Sequence, residues 1–168
     1  KMRFWNIGAE GQFIMGAIFA NTAGLLMQNA LQPWATILIM LVAGAVGGGL
    51  YGLIPAAAKV KFGTNETLMT LMLNYVAFYI LSYMKHTMFF RKLSETGAVL
   101  RPDYRQLPEH AWLPTFQVGG LVIDISLIFA LALVVILFIY LRHTKQGYEI
   151  TIVGDSQRTA AYAGMNVG

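Results

Sequence analysis

Leu121-Val-Ile-Asp-Ile-Ser-Leu-Ile-Phe-Ala-Leu-Ala-Leu-Val-Val-Ile-Leu-Phe-Ile-Tyr-Leu141 is the longest apolar run in the chain, broken only by Asp124 and Ser126 near its start. Wound as a helix, such a run covers the hydrocarbon of a bilayer, which takes about 20 residues at a rise of about 1.5 Å each. The rest of the chain supports that reading. It is 57% hydrophobic and only 12% charged, whereas soluble domains are about one quarter charged. The run is read as a membrane span, and the surrounding sequence is read in relation to it.

Directly after the span the sequence turns polar and glycine-punctuated: Gln146-Gly-Tyr-Glu-Ile-Thr-Ile-Val-Gly-Asp-Ser-Gln-Arg-Thr-Ala-Ala-Tyr-Ala-Gly-Met-Asn-Val-Gly168. Asp155 or Ser156 can cap a helix, and Gly164 can take the left-handed conformation that ends one. The spacing predicts a helix of about two turns over 157–163. A helix that short is marginal alone in water. It is therefore expected to rest on something else, which makes the segment 142–168 a docking element for another protein.

Upstream, three more spans are predicted, at about 7–31, 35–54 and 66–84. The first is interrupted by Asn6, Glu10, Gln12, Asn21 and Gln28, while Gly8, Gly16, Ala20 and Gly24 share one helical face. A stripe of small residues lets another helix approach closely, so this span is placed inside a bundle. Pro33 and Trp34 leave only a short turn before the second span, so the two must be antiparallel. Gly44, Gly48 and Gly52 form a GxxxGxxxG array, read as a packing face rather than a functional site. Pro55 is expected to end the second helix for want of an N–H, leaving 56–65 as a short basic connection. In the third span Asn65 can cap, Glu66 suits the first turn, and Thr67, Thr70, Asn74 and Ala77 share a face. Asn74 at mid-span must be hydrogen-bonded, so it faces a partner helix or a wet pathway. Residues 85–120, with Pro102, Pro108 and Pro114, are the long loop outside the bilayer.

Charge excludes some classes. The formal net charge of +4 is dispersed between apolar runs rather than gathered in one patch, which argues against nucleic-acid binding. Four spans put Lys1, Arg3, Lys59, Lys61, Arg142, Lys145 and Arg158 on one side and Lys85, Arg91, Lys92, Arg101 and Arg105 on the other, modestly favouring a cytoplasmic tail. With no cysteine there is no disulfide or thiolate metal site. His86, His110 and His143 lack metal-ligand spacing, and no GxxxxGK[ST] phosphate cradle occurs. The opening Lys1-Met2-Arg3 and the stop at Gly168 read as an internal piece of a longer polypeptide.

Several stretches together resemble the inner-membrane permease subunits of bacterial ABC importers for nucleosides and simple sugars, a family that includes ribose-type and branched-chain amino acid permeases. Asn6-Ile-Gly-Ala-Glu-Gly-Gln12 is similar to its NIGxEGQ helix opening. Gly52-Leu-Ile-Pro55, Lys59, Phe62-Gly63, Asn65-Glu66 and Thr70-Leu-Met-Leu-Asn-Tyr75 resemble its GxIPG…K…FGxNEV…TxMLNY block. His143-Thr-Lys-Gln-Gly-Tyr148, Gly154 and Ala160-Ala-Tyr-Ala-Gly-Met165 resemble its loop facing the ATPase. Departures are Ala56 for Gly, Thr67 for Val, Glu149-Ile-Thr-Ile-Val153 for an Arg-Ala-Val type run, and Ser156 for Asn.

The resemblance implies an all-α, polytopic transmembrane bundle with about four spans in this piece and a short cytoplasmic coupling helix. It implies a bacterial inner-membrane protein that is not itself catalytic and binds no cofactor. ATP and Mg would belong to two partner ATP-binding subunits, alongside a second permease subunit, identical or homologous, and an extracytoplasmic solute-binding protein. Pathway candidates are Asn6, Glu10, Gln12, Thr67, Thr70 and Asn74, with Glu10 alternatively only an acid at a helix N-terminus, favourable by about 0.3–1 kcal/mol. ATPase-coupling candidates are Gly147, Tyr148, Gly154, Arg158, Ala160, Ala161 and Tyr162. The competing readings are a sugar- or amino-acid-specific member of the same family, a passive channel built from the same spans, and a structural membrane subunit in which Asn74 and Glu10 only join helices.

Overall fold

The computed structural model of the chain describes residues 6–27, 32–87, 105, 107, 111–156, 160, 162 and 164. They belong to two compact units that divide between Trp112 and Leu113.

The first unit holds α1 (Ala9–Met27), α2 (Pro33–Phe62) and α3 (Glu66–Met84). Proline at the first position of α2 gives up an N–H that has no partner there in any case. The helix does not stop at Pro55 as expected. It continues to Phe62, and the 56–65 connection shrinks to residues 63–65. Proline inside a helix removes one donor, here the one that would reach the Tyr51 carbonyl, and membrane helices tolerate that loss better than soluble ones. Pro55 is itself buried, so its ring contributes to packing. What ends α2 is Gly63, at φ 62°, whose N–H donates to Lys59 O at 2.9 Å. A left-handed residue at this place is the glycine stop that L side chains rarely supply. Thirty residues amount to about 45 Å, more than the roughly 30 Å of hydrocarbon.

The third helix starts where its capping chemistry says. Asn65 Oδ1 accepts from Thr67 N at 3.0 Å and Leu68 N at 3.3 Å, and Glu66 pairs with Lys59 at 2.8 Å across the turn. Asn65→Ala is expected to cost about 1 kcal/mol, read as a lowered unfolding temperature of the detergent-solubilised full-length protein. Ile14, Ile18, Tyr51 and Ala77 form the core. Outward, α2 shows Leu38, Val42, Val46, Leu50 and Leu53, a surface suited to lipid rather than water.

In the second unit, β1 (Thr115–Val118) and β2 (Leu121–Asp124) form an antiparallel hairpin, followed by α4 (Ser126–His143) and α5 (Lys145–Asp155). This corrects the predicted span at 121–141. Its first four residues pair with β1 through a turn at Gly119 and Gly120, φ 58° and 86°, the positive-φ pair that a two-residue hairpin needs. The helix begins only at Ser126, and part of the long loop is strand. α4 has no buried residue. The helix α5 was not expected from the sequence. Beyond it Ser156 is extended, Ala160 N donates to Ser156 O at 3.0 Å, and Gly164 sits at φ 74°. Ala160 and Tyr162 are helical, and the rest of the predicted 157–163 helix lies outside the described residues.

Among the described residues three helices, α2, α3 and α4, are long and apolar enough to cross a membrane. α1 is not among them. Expected as the first span at about 7–31, it packs against α2 and α3, as its small-residue stripe suggested.

Candidate functional site

The sequence-predicted polar residues converge at the start of α1. Asn74, at the midpoint of α3, is 9% exposed, and Thr70, one turn earlier, is 1% exposed. Asn74 Oδ1 accepts from Gly11 N at 2.8 Å, and Asn74 Nδ2 donates to Ile7 O at 3.0 Å. Thr70 Oγ1 accepts from Ile7 N at 3.3 Å and donates to Thr67 O at 3.1 Å. Asn6 Oδ1 accepts from Gly8 N at 2.8 Å, and Asn6 Nδ2 donates to Gln12 Oε1 at 3.4 Å. Glu10 lies in the first turn of α1 and is exposed. Thr67 contributes only backbone to this network, its N–H going to the Asn65 cap.

The approach is close because glycines permit it. A Cβ on Gly8 would lie 2.9 Å from Thr70 Cβ, and one on Gly11 would lie 2.9 Å from Asn74 Oδ1. On the other side of α1 a Cβ on Gly16 would lie 2.9 Å from Gly44 O, and one on Gly48 would lie 3.1 Å from Gln12 O. Gly52 leaves room for the Gln12 amide, 3.2 Å from where its Cβ would be. α1 thus runs antiparallel to α2 and parallel to α3. Its first turn lies beside Asn74, about 12 Å along α3 from Glu66.

Tyr51 was missed by sequence reasoning. It is buried, and its hydroxyl donates to Leu73 O at 2.7 Å, fixing α2 to α3 beside Asn74. One tyrosine in an apolar run carries no signal of this partner. Among the described residues no group of three His, Cys, Asp or Glu can hold a metal.

The coupling candidates lie in the second unit. Thr144 Oγ1 donates to Tyr140 O at 2.6 Å and accepts from Gly147 N at 3.1 Å. One side chain therefore closes α4 and caps α5. Tyr140 Oη donates to Gln146 Oε1 across the same corner. Gly147 is buried, with no room for a Cβ against the Leu141 backbone. Thr144 was quoted in the motif but given no role; its signal was a cap residue three before the glycine it holds. Tyr148 is exposed and Gly154 partly buried, both on α5. Ala160 is fully buried, while Tyr162 is 94% exposed, so of these two Tyr162 is the one available to a partner. Arg158 and Ala161 lie outside the described residues.

Comparison with known proteins gives the family of the chain. The chain is 28% identical to a guanosine ABC transporter permease protein of Bacillus subtilis, over 97% of this chain and 45% of that protein. It is 30% identical to a glucose ABC transporter permease protein of Haloferax volcanii, over 99% and 44% respectively. It is 28% identical to a nucleoside ABC transporter permease protein of Lactococcus lactis, over 99% and 46%. The chain thus spans somewhat less than half the length of these relatives. No solved structure matches it. The family described as the permease component of branched-chain amino acid transport systems matches residues 1–168, and this chain, a multi-pass, all-α membrane protein, belongs to that family.

Proposed function

We propose that the chain is part of the permease subunit of an ATP-driven importer that moves a nucleoside or simple sugar across the bacterial cytoplasmic membrane by alternating access. The observation that carries this is the start of α1 at mid-depth of α3, where Asn6, Gln12, Thr70 and Asn74 gather in an otherwise apolar bundle. Helices that begin inside the membrane beside polar groups are how transporters line a path. Asn6, Glu10, Gln12, Thr67, Thr70 and Asn74 are assigned to that path, and α1 lines it, packed against α2 and α3. The guanosine, nucleoside and glucose named for the relatives support the solute class.

ATP and Mg are held by two partner ATP-binding subunits. A second permease and an extracytoplasmic solute-binding protein complete the assembly. Gly147, Tyr148, Gly154, Arg158, Ala160, Ala161 and Tyr162 couple the permease to ATP hydrolysis, Gly147 and Ala160 by shaping the segment and Tyr162 by contact. Reconstituting the full-length permease in vesicles with its ATPase and binding protein, and following radiolabelled guanosine and glucose, tests the reading. ATP-dependent accumulation of one of them is expected; uptake that persists without the ATPase identifies a passive facilitator instead. Tyr162→Asp is expected to lower uptake and solute-stimulated ATP hydrolysis about tenfold or more, the loss of at least about 1.4 kcal/mol of coupling. Membrane insertion should be unaffected, and unchanged coupling would remove Tyr162 from the contact.

A further inference from the structure

Gly11 N–H and Ile7 C=O are separated by four residues, the spacing of one α-helical hydrogen bond. The helix is formed only from Ala9, with Gln12 N donating to Gly8 O at 3.1 Å; one position earlier the Asn74 amide accepts from Gly11 N–H and donates to Ile7 C=O. The side chain takes the place of one backbone bond in the first turn of α1. Asn6 Oδ1, meanwhile, accepts from Gly8 N, the contact an N-cap makes with the second residue of a helix beginning at Ile7. α1 is therefore already capped for a start earlier than the one it adopts.

We propose that Asn74 is an exchangeable clasp between α1 and α3. When Asn74 withdraws, Gly11 N–H can close directly onto Ile7 C=O, so α1 completes its own first turn and leaves no buried backbone group stranded. The freed amide then offers a donor and an acceptor side by side at mid-depth of the bundle. Nucleobase edges and vicinal sugar hydroxyls carry the complementary pair, and a buried amide left without partners is costly. Solute thus takes the place of the α1 backbone on Asn74, and releasing solute re-forms the clasp. This makes Asn74 a solute contact in one state and a helix joint in the other. The inference rests on the importer reading above.

A reversible lock tests it. In the full-length transporter on a cysteine-free background, Gly8→Cys with Thr70→Cys would join α1 to α3 where a Gly8 Cβ lies 2.9 Å from Thr70 Cβ, about 0.9 Å short of the usual disulfide span, so the two helices ease apart by that much to form it. Oxidation is expected to lower ATP-driven uptake of guanosine or glucose at least about tenfold relative to the same reduced double variant, with recovery on adding reductant. Equal uptake by the oxidised and reduced forms would overturn the clasp. In parallel, Asn74→Leu is expected to raise the KM for solute about tenfold, the effect of about one lost hydrogen bond, in the fraction that assembles. An unchanged KM with less assembled protein would show that Asn74 only joins helices, again overturning it. If the unmodified transporter accumulates neither solute with ATP, the importer reading itself fails, a result separate from both.

Discussion

Gly16→Val is expected to force α1 and α2 apart. The Cβ that any side chain brings would lie 2.9 Å from Gly44 O, and the obstacle is backbone, so no rotamer change relieves it. A Gly44 Cβ in turn would be 3.4 Å from Gly16 O, which shows the two chains meeting directly. Overpacking in a well-filled interior costs about 1–3 kcal/mol and occasionally more; valine at a backbone-to-backbone crossing belongs at the upper end. The expected result is a clear fall in the unfolding temperature of the full-length protein in detergent. Gly49 provides the contrast, since nothing lies within 4 Å of its Cβ position. Gly49→Ala should leave stability unchanged or raise it by up to about 1 kcal/mol, the helix-propensity difference between the two residues. Equal behaviour of the two variants would show that the α1–α2 crossing is not as close as described.

Gly147→Ala is expected to open the corner between α4 and α5. Its Cβ would overlap the Leu141 backbone, and Gly147 N–H is the group that Thr144 Oγ1 holds. Displacing it removes the cap of α5 and strains the end of α4 together, for about 2 kcal/mol or more. In the assembled transporter the consequence should be ATP hydrolysis that no longer responds to solute, because α5 then no longer keeps its angle to the α4 span. Thr144→Ser keeps the hydroxyl and should behave like the unmodified protein, whereas Thr144→Val should resemble Gly147→Ala. If Gly147→Ala retains solute-stimulated hydrolysis, the rigidity of this corner is irrelevant to coupling.

Much of the framework was legible because it depends on local chemistry. Asn65 and Glu66 mark the start of α3 with a cap and a first-turn acid, and the structure begins the helix there. The small-residue stripe on α1 and the glycine array on α2 announced close packing, and they meet each other. Pro55 misled, because a proline stops a helix only where the released carbonyl cannot be tolerated and the ring cannot be packed; here the ring is buried and Gly63 supplies the stop. The hairpin was hidden because Leu121 to Asp124 is apolar enough to read as part of the following helix, and only pairing with Thr115 to Val118 makes it a strand. The stretch that forms α5 was read only as polar and glycine-punctuated, and it takes the Thr144 cap and the packing of Gly147 against the Leu141 backbone to show the helix.

The sequence by itself determined that this chain is a helical membrane protein, where most of its long apolar helices lie, and which residues are too polar to face lipid, since hydrophobic length and capping are properties of consecutive residues. Only the tertiary structure decided what those polar residues hold. Asn74 and Gly11 are 63 positions apart, as are Thr70 and Ile7, and no periodicity within one helix specifies a hydrogen bond to another. The same amide could have faced a path or a neighbour; packing of α1 against α3 put it between Ile7 and Gly11, where it completes a turn of a helix to which it does not belong.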